Sequence, residues 1–493
     1  MIRLPGLAAA HSSADIPPAL IGHRRGAGVD PAVVIAGCLL FVVVLFLPLT
    51  LSDNDTLWQI RTGDWILDHH AIPATDPFSF TAGDRRWFAH EWFAETLMAL
   101  AFRAAGMQGV MVLAAAATGV TGAMLLHHAW RFLPGFYAIA AVMLGLSCAA
   151  SSLLARPHLL AWPCLTLWCG ALVAARADRR APSFALLPVM LVWVNMHGSF
   201  MLGLLLPGAF MIEAMLDRGA DRGRVFRSWG GFILAAWAVA LINPDFLAGV
   251  LFPYHLIGMT NLVWIDEWRP SDFSRFGAVE LVIVVALRIG FSGKAVLPPV
   301  RLILLLGLIH LALTHGRHEQ VLGIVGVLVL AEPLGASLGR GGARASDRRW
   351  RYLSAGMTML AVVALPARIA LPLSPERTGA AFSATLDAVP PSLRAQPVLN
   401  EYGLGGQLIF AGIRPFIDGR ADLYGDAFLT RYVRVTSGDR SALDRALSEY
   451  GIVWTVFPAS HTMIAVMDEK PGWRRLVDTN GTIIHVREDR LPR

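Results

Sequence analysis

Residues 33–55 read VVIAGCLLFVVVLFLPLTLSDND, an uncharged apolar run that stops at two aspartates. The run 33–51 is close to the ~20 residues that a helix needs to cross a bilayer. Arg3, Arg24 and Arg25 precede it, and nothing after it resembles a small-residue cleavage site. The stretch therefore predicts an uncleaved membrane helix with a cytoplasmic amino end, followed by an external loop.

The composition of the whole chain is that of a polytopic membrane protein. Of the 493 residues, 55% are hydrophobic and 16% are charged, and the mean hydropathy is +0.53. A soluble domain carries roughly a quarter charged residues, so a soluble enzyme, a disordered tail and a fibrous repeat are excluded. Lys and Arg number 42 against 36 Asp and Glu, but they cluster between apolar runs. There they set membrane topology, and no nucleic-acid partner is expected.

The four cysteines all lie within apolar segments, at Cys38, Cys148, Cys164 and Cys169. None has the paired spacing of a zinc site, and a disulfide framework would need cysteines in exported loops. We therefore interpret them as small buried hydrophobic residues.

The alternation of apolar runs and cationic loops predicts about eleven membrane-spanning helices. After the first loop, a half-buried amphipathic helix at Glu91–Arg103 is expected to return the chain to the membrane. Further runs lie at 108–130, 134–152, 159–177, 182–194, 198–216, 229–247, 278–292, 296–313, 318–338 and 352–372. With this odd count, the cationic loops 176–180, 218–227, 294–301 and 340–351 are all cytoplasmic and the carboxy-terminal segment is external. The 182–216 pair, broken at Asn195–Gly198, leaves a re-entrant arrangement open.

A change of character near Pro375 divides the chain, because hydrophobic runs shorten and charges return. We expect a cytoplasmic tail at 1–30, a membrane module at 31–374 with the first external loop at 52–107, and a small extracytoplasmic α/β domain at 375–493. Within that domain, strands are predicted at 397–400, 414–417, 452–457 and 482–486, and a helix at 441–450.

Polar clusters without a topological role all map to the predicted outer face. They lie at 52–55, 156–158, 195–198, 264–268 and 315–319. Polar side chains are costly near a bilayer, so their convergence on one face is typical of an interfacial active site. The sharpest cluster is Asp53-Asn54-Asp55, whose carboxylates can share a divalent cation facing a phosphate, or provide a general base for an acceptor hydroxyl. The alternative is a helix cap at the membrane surface.

The sequence after this cluster resembles the first external loop of the GT-C fold membrane glycosyltransferases. Residues 53–67 read DNDTLWQIRTGDWIL and residues 72–80 read IPATDPFSF, which fit D-x-D-x-x-W-x-x-x-x-G-x-W-I followed by P-x-x-D-P-F-S. That pattern is similar to a group of bacterial membrane proteins and, more distantly, to oligosaccharyltransferase catalytic subunits and lipid-linked mannosyl and aminoarabinose transferases. The likeness continues through RPH at 156–158, WVNMHG at 193–198, EWRP at 267–270, NEYG at 400–403 and IDGRAD at 417–422.

The resemblance implies a polytopic α-helical enzyme of the bacterial inner membrane that moves a sugar on its outer face. The donor would be a polyprenyl-phosphate or polyprenyl-diphosphate sugar, and the acceptor a glycan, lipid or protein. Asp53 and Asp55 would be the catalytic pair, one activating the acceptor and the other binding Mg²⁺ or Mn²⁺ or orienting the acceptor. The implied donor-phosphate ligands are Arg156, His158, His197, Arg317 and His318. The implied second acidic or acceptor-binding residues are Asp266, Glu267 and Tyr402.

One departure bears on the acceptor. Oligosaccharyltransferases carry a W-W-D-Y-G element that reads the peptide acceptor, whereas residues 400–403 here keep only Tyr402-Gly403 of it. A glycan or lipid acceptor is therefore expected at least as much as a peptide.

Two other functions stay open at this point. A flippase for a lipid-linked glycan predicts internal repeats and broken helices in both halves, but the sequence has one clear break, near Asn195, and no repeat. A non-catalytic scaffold of the same fold is the other alternative, since an acidic pair can persist without catalysis.

Overall fold

The computed structural model describes residues 29–83, 85–293, 295–338, 348–376, 378–479 and 481–490, without the side chain of Asp266. The predicted tail at 1–30 thus lies almost wholly outside the described residues. The helices before residue 375 are α1 Pro31–Leu45, α2 Asp55–His69, α3 Trp92–Phe132, α4 Gly135–Cys148, α5 Pro157–Ala177, α6 Leu187–Val194, α7 Phe200–Met215, α8 Arg222–Ala240, α9 Phe246–Ile257, α10 Ala278–Phe291, α11 Pro299–Thr314, α12 Glu319–Leu338 and α13 Arg348–Ala370.

Helices overlap every apolar run that the sequence predicted. Within the described residues, four helical stretches are long and apolar enough to cross a membrane: Trp92–Phe132, Pro157–Ala177, Gly316–Leu338 and Arg348–Ala370. Shorter apolar helices accompany them, including α1, α4, α7, α9 and α11. These helices support a membrane location, and the count of about eleven spans stays a prediction.

Helix α3 joins two elements that the sequence predicted separately, the amphipathic Glu91–Arg103 segment and the run 108–130. Its backbone leaves the helical region at Ala105 and at Gly106, where φ is 60°. Glycine adopts that left-handed conformation without steric cost, so the chain bends there and continues as helix. The part before the bend lies against α2, because Gly63 approaches the backbone oxygen of Glu95 so closely that a Cβ would overlap it.

The core of the helical module forms where α3, α5 and α12 pack together. Its fully buried side chains include Leu125, Trp168 and Leu328. Helices α4 and α12 approach closely at Gly145 and Gly323, since a Cβ on either glycine would overlap the backbone oxygen of the other. Small residues at helix contacts are the usual way in which membrane helices pack tightly.

The carboxy-terminal region contains a small sheet with helices packed around it. Its elements are α14 Ala380–Asp387, α15 Pro391–Arg394, β1 Val398–Asn400, α16 Gly405–Phe410, α17 Ala421–Thr436, α18 Arg440–Glu449, β2 Trp454–Pro458, α19 Met463–Asp468, β3 Trp473–Thr479 and β4 Thr482–Arg487. The strand order is β1-β2-β4-β3. Strand β1 runs parallel to β2, and β4 is antiparallel to both β2 and β3.

Three of the predicted strands are present, and the one at 414–417 is wrong. That segment is extended, but its hydrogen bonds go elsewhere: the backbone oxygen of Phe416 accepts from Thr81 at 2.6 Å, and the amide of Phe416 donates to the Asn400 side chain at 2.8 Å. The segment thus joins the loop between α2 and α3 instead of the sheet. Strand β3 was not predicted; it lies at the sheet edge, where Arg474, Arg475, Asp478 and Thr479 stay exposed.

The carboxy-terminal region lies directly on the first loop and the start of α2. Arg414 donates to the backbone oxygen of Ser79 at 2.7 Å, and Arg85 donates to that of Tyr424 at 2.7 Å. Gln407 donates to the side chain of Asn54, between the two aspartates, at 2.6 Å. These contacts place residues 400–424 over the start of α2 and the loop that follows it.

Candidate active site

The two aspartates of the DND cluster occupy the turn between α1 and α2. A short 3₁₀ helix at Pro48–Leu51 follows α1, and α2 begins at Asp55. One oxygen of Asp53 accepts a hydrogen bond from the backbone amide of Asp55 at 2.8 Å. This contact is a local turn and not a helix cap, because the N-cap residue of α2 is Asn54, which makes no side-chain capping hydrogen bond. The second Asp53 oxygen faces another group.

Arg156 gathers both aspartates and a distant glutamate around one guanidinium. Its Nη1 lies 3.1 Å from Oδ2 of Asp53 and 2.7 Å from Oε2 of Glu267, and its Nη2 lies 2.7 Å from Oδ2 of Asp55. Arg156 stands just before Pro157, which starts α5, so the helix end fixes where the guanidinium projects. Its side chain is 15% exposed.

Arg317 extends this network to a second guanidinium. Its Nη1 lies 3.2 Å from Oε1 of Glu267, so that carboxylate bridges the two arginines. The Arg317 guanidinium also lies 4.3 Å from the centre of the Trp268 ring, a cation–π contact that holds it in place. Three carboxylates and two guanidiniums thus meet in one cluster.

The surroundings of Asp55 and Glu267 shift the pKa values of these two acids in opposite directions. Burial raises the pKa of Asp55 to about 7; Asp53 and Glu267 add to the rise, and Arg156 opposes it. Burial would also raise the pKa of Glu267, but Arg156 and Arg317 together lower it to about 2. Asp55 therefore exchanges a proton near neutral pH while Glu267 stays ionised, which suits Asp55 to general acid–base chemistry.

The predicted histidines lie next to this cluster in different ways. His158 and His197 contact each other with ring centres 6.1 Å apart, and His158 bonds the backbone oxygen of Ser152 at 2.8 Å. Nε2 of His197 lies 3.7 Å from Glu91, and burial lowers the pKa of His197 well below its usual value. Burial therefore favours the neutral imidazole of His197, and its role as a phosphate ligand stays a prediction. His318 contacts the ring of Trp268.

A cavity of about 90 Å³ opens beside Asp55. The predicted residues that line it are Asp55, Arg156, Glu267, Arg317 and Tyr402. Asp53, His158, His197 and His318 are not among its lining residues, and the side chain of Asp266 lies outside the described part of the chain. The cavity wall is otherwise rich in aromatic side chains, Trp58, Trp87 and Trp268 among them. An anion-binding pair, a titrating acid and aromatic walls are what a phosphorylated sugar requires.

The IDGRAD segment at 417–422 closes one side of the cavity. Gly419 lies so close to Asp55 that a Cβ there would overlap Oδ1 of the carboxylate. Asp422 lines the same wall, and burial raises its pKa. Glycine at 419 is therefore required by the close approach of this segment to Asp55.

Arg420 anchors the same segment from behind. Its guanidinium lies 2.7 Å from Asp76 of the first loop and 2.7 Å from Asp418, and its centre is 4.7 Å from the ring of Trp87. The side chain is 1% exposed. Burial alone would raise the pKa of Asp76, but Arg420 and hydrogen bonds from Ser79 and Phe78 lower it. The cluster joins the carboxy-terminal region to the first loop.

Sequence reasoning did not assign roles to Glu91, Glu95, Arg420 and Asp422, which all line the cavity. Glu91 and Glu95 are four residues apart at the start of α3, a spacing that puts both on one helix face. An acidic pair on an otherwise apolar helix face was the signal that could have marked them. Burial raises the pKa of Glu91 to about 7, with Arg156 and Arg317 opposing it.

The arrangement does not fit the divalent cation that the resemblance implied. Among the residues that the structure describes, no group of three His, Cys, Asp or Glu side chains is disposed to hold a metal ion. The oxygens of Asp53, Asp55 and Glu267 that converge on one point already accept hydrogen bonds from Arg156.

Comparison of the whole chain with known proteins defines the class of fold. No protein-family model matches the sequence, and no curated protein matches it. The archaeal oligosaccharyltransferase AglB from Archaeoglobus fulgidus, in complex with an inhibitory peptide and a dolichol-phosphate, is similar in structure. The TM-score is 0.51 and the sequence identity is 10%, over 87% of this chain and 69% of AglB. Its complex with Zn and sulfate gives a TM-score of 0.50 and 12% identity over 87% of this chain and 68% of AglB. ArnT from Cupriavidus metallidurans, bound to undecaprenyl phosphate, has a TM-score of 0.45 and 14% identity over 92% of this chain and 97% of ArnT. The chain therefore has the GT-C fold that the sequence resemblance implied.

Proposed function

We propose that the protein is a membrane glycosyltransferase that moves a sugar from a polyprenyl-phosphate or polyprenyl-diphosphate donor to an acceptor. The observation that carries the proposal is the juxtaposition of Asp55, whose pKa is about 7, with the Arg156 and Arg317 guanidiniums in one aromatic-walled cavity. The GT-C fold supports it, since AglB with the same fold has been found with a dolichol-phosphate bound.

Asp55 is the proposed base of an inverting displacement. An acceptor hydroxyl gives its proton to Asp55 as its oxygen bonds to the anomeric carbon of the donor sugar. The bond from that carbon to the phosphate oxygen breaks, and the phosphate leaves with the bonding electron pair. A carboxylate that titrates near neutral pH combines enough basicity with a useful ionised fraction.

Arg156 and Arg317 are the proposed ligands of the donor phosphate. Both line the cavity, and guanidiniums bind phosphate oxygens through paired N–H groups. As negative charge develops on the leaving phosphate, their fixed positive charge stabilises the transition state. Asp53 holds Arg156 and the start of α2, which makes it a positioning residue.

The proposed setting is the bacterial inner membrane, with the site and residues 375–493 on the outer face and the amino end in the cytoplasm. The membrane module 31–374 would hold the polyprenyl chain among the membrane lipids. Tyr402 lies in the cavity wall beside Asp55 and is the proposed contact of the acceptor, which we expect to be a glycan or lipid at least as much as a protein.

The test is sugar transfer by the purified protein in proteoliposomes supplied with a panel of polyprenyl-phosphate sugars, read as release of free polyprenyl phosphate by mass spectrometry. We expect release with at least one donor and a fall of about a thousandfold for Asp55→Asn, because the base is lost. Asp64→Asn, on the same helix and paired with Arg103, is the matched control and should retain activity. Full activity of the Asp55→Asn protein would contradict the proposed mechanism.

A further inference from the structure

We propose that the guanidinium of Arg156 is the resident cation of this site, standing between the carboxylates for which the sequence resemblance implied a divalent metal ion. The consequence is a site that binds its substrates without a metal. The coordination of Asp53, Asp55 and Glu267 by Arg156 stands on the structure alone, and its catalytic consequence rests on the proposed glycosyl transfer.

The first support is the convergence of three carboxylates on a single point. Asp53 and Asp55 come from the start of α2, and Glu267 comes from a separate loop more than 200 residues later. Each has an oxygen within 3.1 Å of an Arg156 nitrogen. Oxygens of several carboxylates directed at one point need a cation between them, and here a guanidinium lies at that point.

The second support is the use of the carboxylate oxygens. Of the six oxygens, three accept hydrogen bonds from Arg156. The other oxygen of Asp53 accepts from the Asp55 amide, and the other oxygen of Glu267 accepts from Arg317. The sixth, Oδ1 of Asp55, lies against Gly419. A metal ion at this point would have to displace the Arg156 guanidinium, because the three oxygens that face the point are directed at its nitrogens.

The third support is charge. Arg156 already places a full positive charge within hydrogen-bonding distance of all three carboxylates, and Arg317 adds a second one at Glu267. A divalent ion beside two guanidiniums would be repelled by both. The carboxylates therefore prefer the built-in cation as long as the arginine is present.

Removal of the arginine is the decisive test, because it should turn the site into a metal site. Mn²⁺ binding to the purified protein in lipid nanodiscs is measured from the loss of the free Mn²⁺ signal in electron paramagnetic resonance. We expect the wild type to bind Mn²⁺ only weakly and without a stoichiometric site. Arg156→Ala should gain one site with an affinity at least about tenfold higher than that weak binding, since three facing carboxylates are then unpaired. Arg156→Lys restores a positive charge and should again exclude Mn²⁺. Adding Asp55→Asn to Arg156→Ala should remove the new site.

Arg103→Ala is the matched control, because Arg103 also bridges two carboxylates, Asp64 and Asp68, away from the cavity. It should gain no comparable site. One tightly bound Mn²⁺ in the wild type that is lost in Asp55→Asn would overturn the inference, and so would an Arg156→Ala protein that binds no more Mn²⁺ than the wild type. If Arg156→Ala does not fold, the wild-type measurement decides alone.

A chelator separates this inference from the proposed function. With any donor that the wild type turns over, EDTA should leave the rate within about twofold, and added Mn²⁺ should not raise it. Abolition of transfer by EDTA with recovery on Mn²⁺ would overturn the inference while leaving the glycosyltransferase intact. Absence of transfer with every donor would count against the proposed function, and the Mn²⁺ measurements would still decide the question of the cation.

Discussion

Arg156 and Arg420 both line the cavity and are both held by carboxylates, yet their surroundings differ. Arg420 is 1% exposed and meets two carboxylates that are wholly buried. Arg156 is 15% exposed and meets three carboxylates that are themselves partly exposed. The closed cluster, Arg420 with Asp76 and Asp418, has rings of Trp87, Trp58 and Phe78 around its guanidinium. The open cluster is that of Arg156 with Asp53, Asp55 and Glu267.

Burial and the balance of charge together set the acidity of the two clusters. Two carboxylates share Arg420, and the pKa of Asp76 is lowered. Three carboxylates share Arg156, and the pKa of Asp55 is raised to about 7 by burial and by its acidic neighbours. The cluster around Arg420, where the carboxylates stay ionised, stabilises the fold. The cluster around Arg156, which has more carboxylates than guanidiniums, keeps a proton available for chemistry.

Breaking the closed cluster should have the largest effect, and that effect should be on stability. Arg420→Met leaves Asp76 and Asp418 buried without their cation, so we expect the free energy of unfolding to fall by about 3–5 kcal/mol. Thermal unfolding in detergent, followed by intrinsic tryptophan fluorescence, measures this. Arg474→Met, an exposed arginine on edge strand β3, is the control and should change little. An unchanged midpoint for Arg420→Met would remove the distinction between the two clusters.

The open cluster should respond to small displacements with lost activity at little cost in stability. Gly419→Ala places a methyl group against Asp55 and should push the carboxylate away from Arg156 or tilt the IDGRAD segment. We expect transfer to fall about ten- to a hundredfold, since a shift near 1 Å at a reacting group has effects of this size. The rate with the best donor is the measurement.

Gly230→Ala is the matched control, because nothing lies within 4 Å of a Cβ at that position of α8. Transfer by that protein should equal the wild type. Wild-type rates in Gly419→Ala would show that the carboxy-terminal segment does not position Asp55.

The sequence predicted the open cluster far better than the closed one. Asp53, Asp55, Arg156, Glu267 and Arg317 were recognisable because charged groups beside apolar runs are costly and need a reason. Arg420 was recognisable only as part of the IDGRAD motif. Its partner Asp76 is 344 residues away, and nothing in the local sequence indicates that the two form a buried pair. Long-range pairing is decided by packing, and single-sequence patterns do not carry it.

The helices divide in the same way. The length of the apolar runs located most of the helices. Helix α8 begins at Arg222, seven residues before the predicted run at 229. The prediction began late because the first turns of α8 carry cations, which are typical of loops. Helix α9 was not predicted, since the run through 247 was assigned to one span. A turn at Asn243–Asp245, where the Asn243 side chain accepts from the Asp245 amide at 2.9 Å, separates the two helices.

The pH dependence of transfer gives a further prediction. If Asp55 is the base, the rate should rise about tenfold per pH unit below 7 and level off above it, because only the ionised carboxylate accepts the proton. Glu91, whose pKa is also about 7, is the competing titrating group. Glu91→Gln should keep the midpoint, whereas Asp55→Glu should move it; the opposite result would transfer the role to Glu91.

Stability should vary with pH in the opposite direction to activity, and this follows from the sign of the shift at Asp55. Its pKa rises from 3.8 in the unfolded chain to about 7 in the fold, so the folded state holds a proton that the unfolded state has lost. The contribution of Asp55 to stability is therefore full below pH 4 and is lost as the pH rises from 4 to 7. Asp55→Asn removes that loss, and its unfolding midpoint relative to the wild type should be higher at pH 8 than at pH 5. If Asp55→Asn is inactive in transfer and gains stability relative to the wild type at pH 8, then the ionised Asp55 that serves the reaction lowers the stability of the fold. The carboxylates around Arg420 have no such effect.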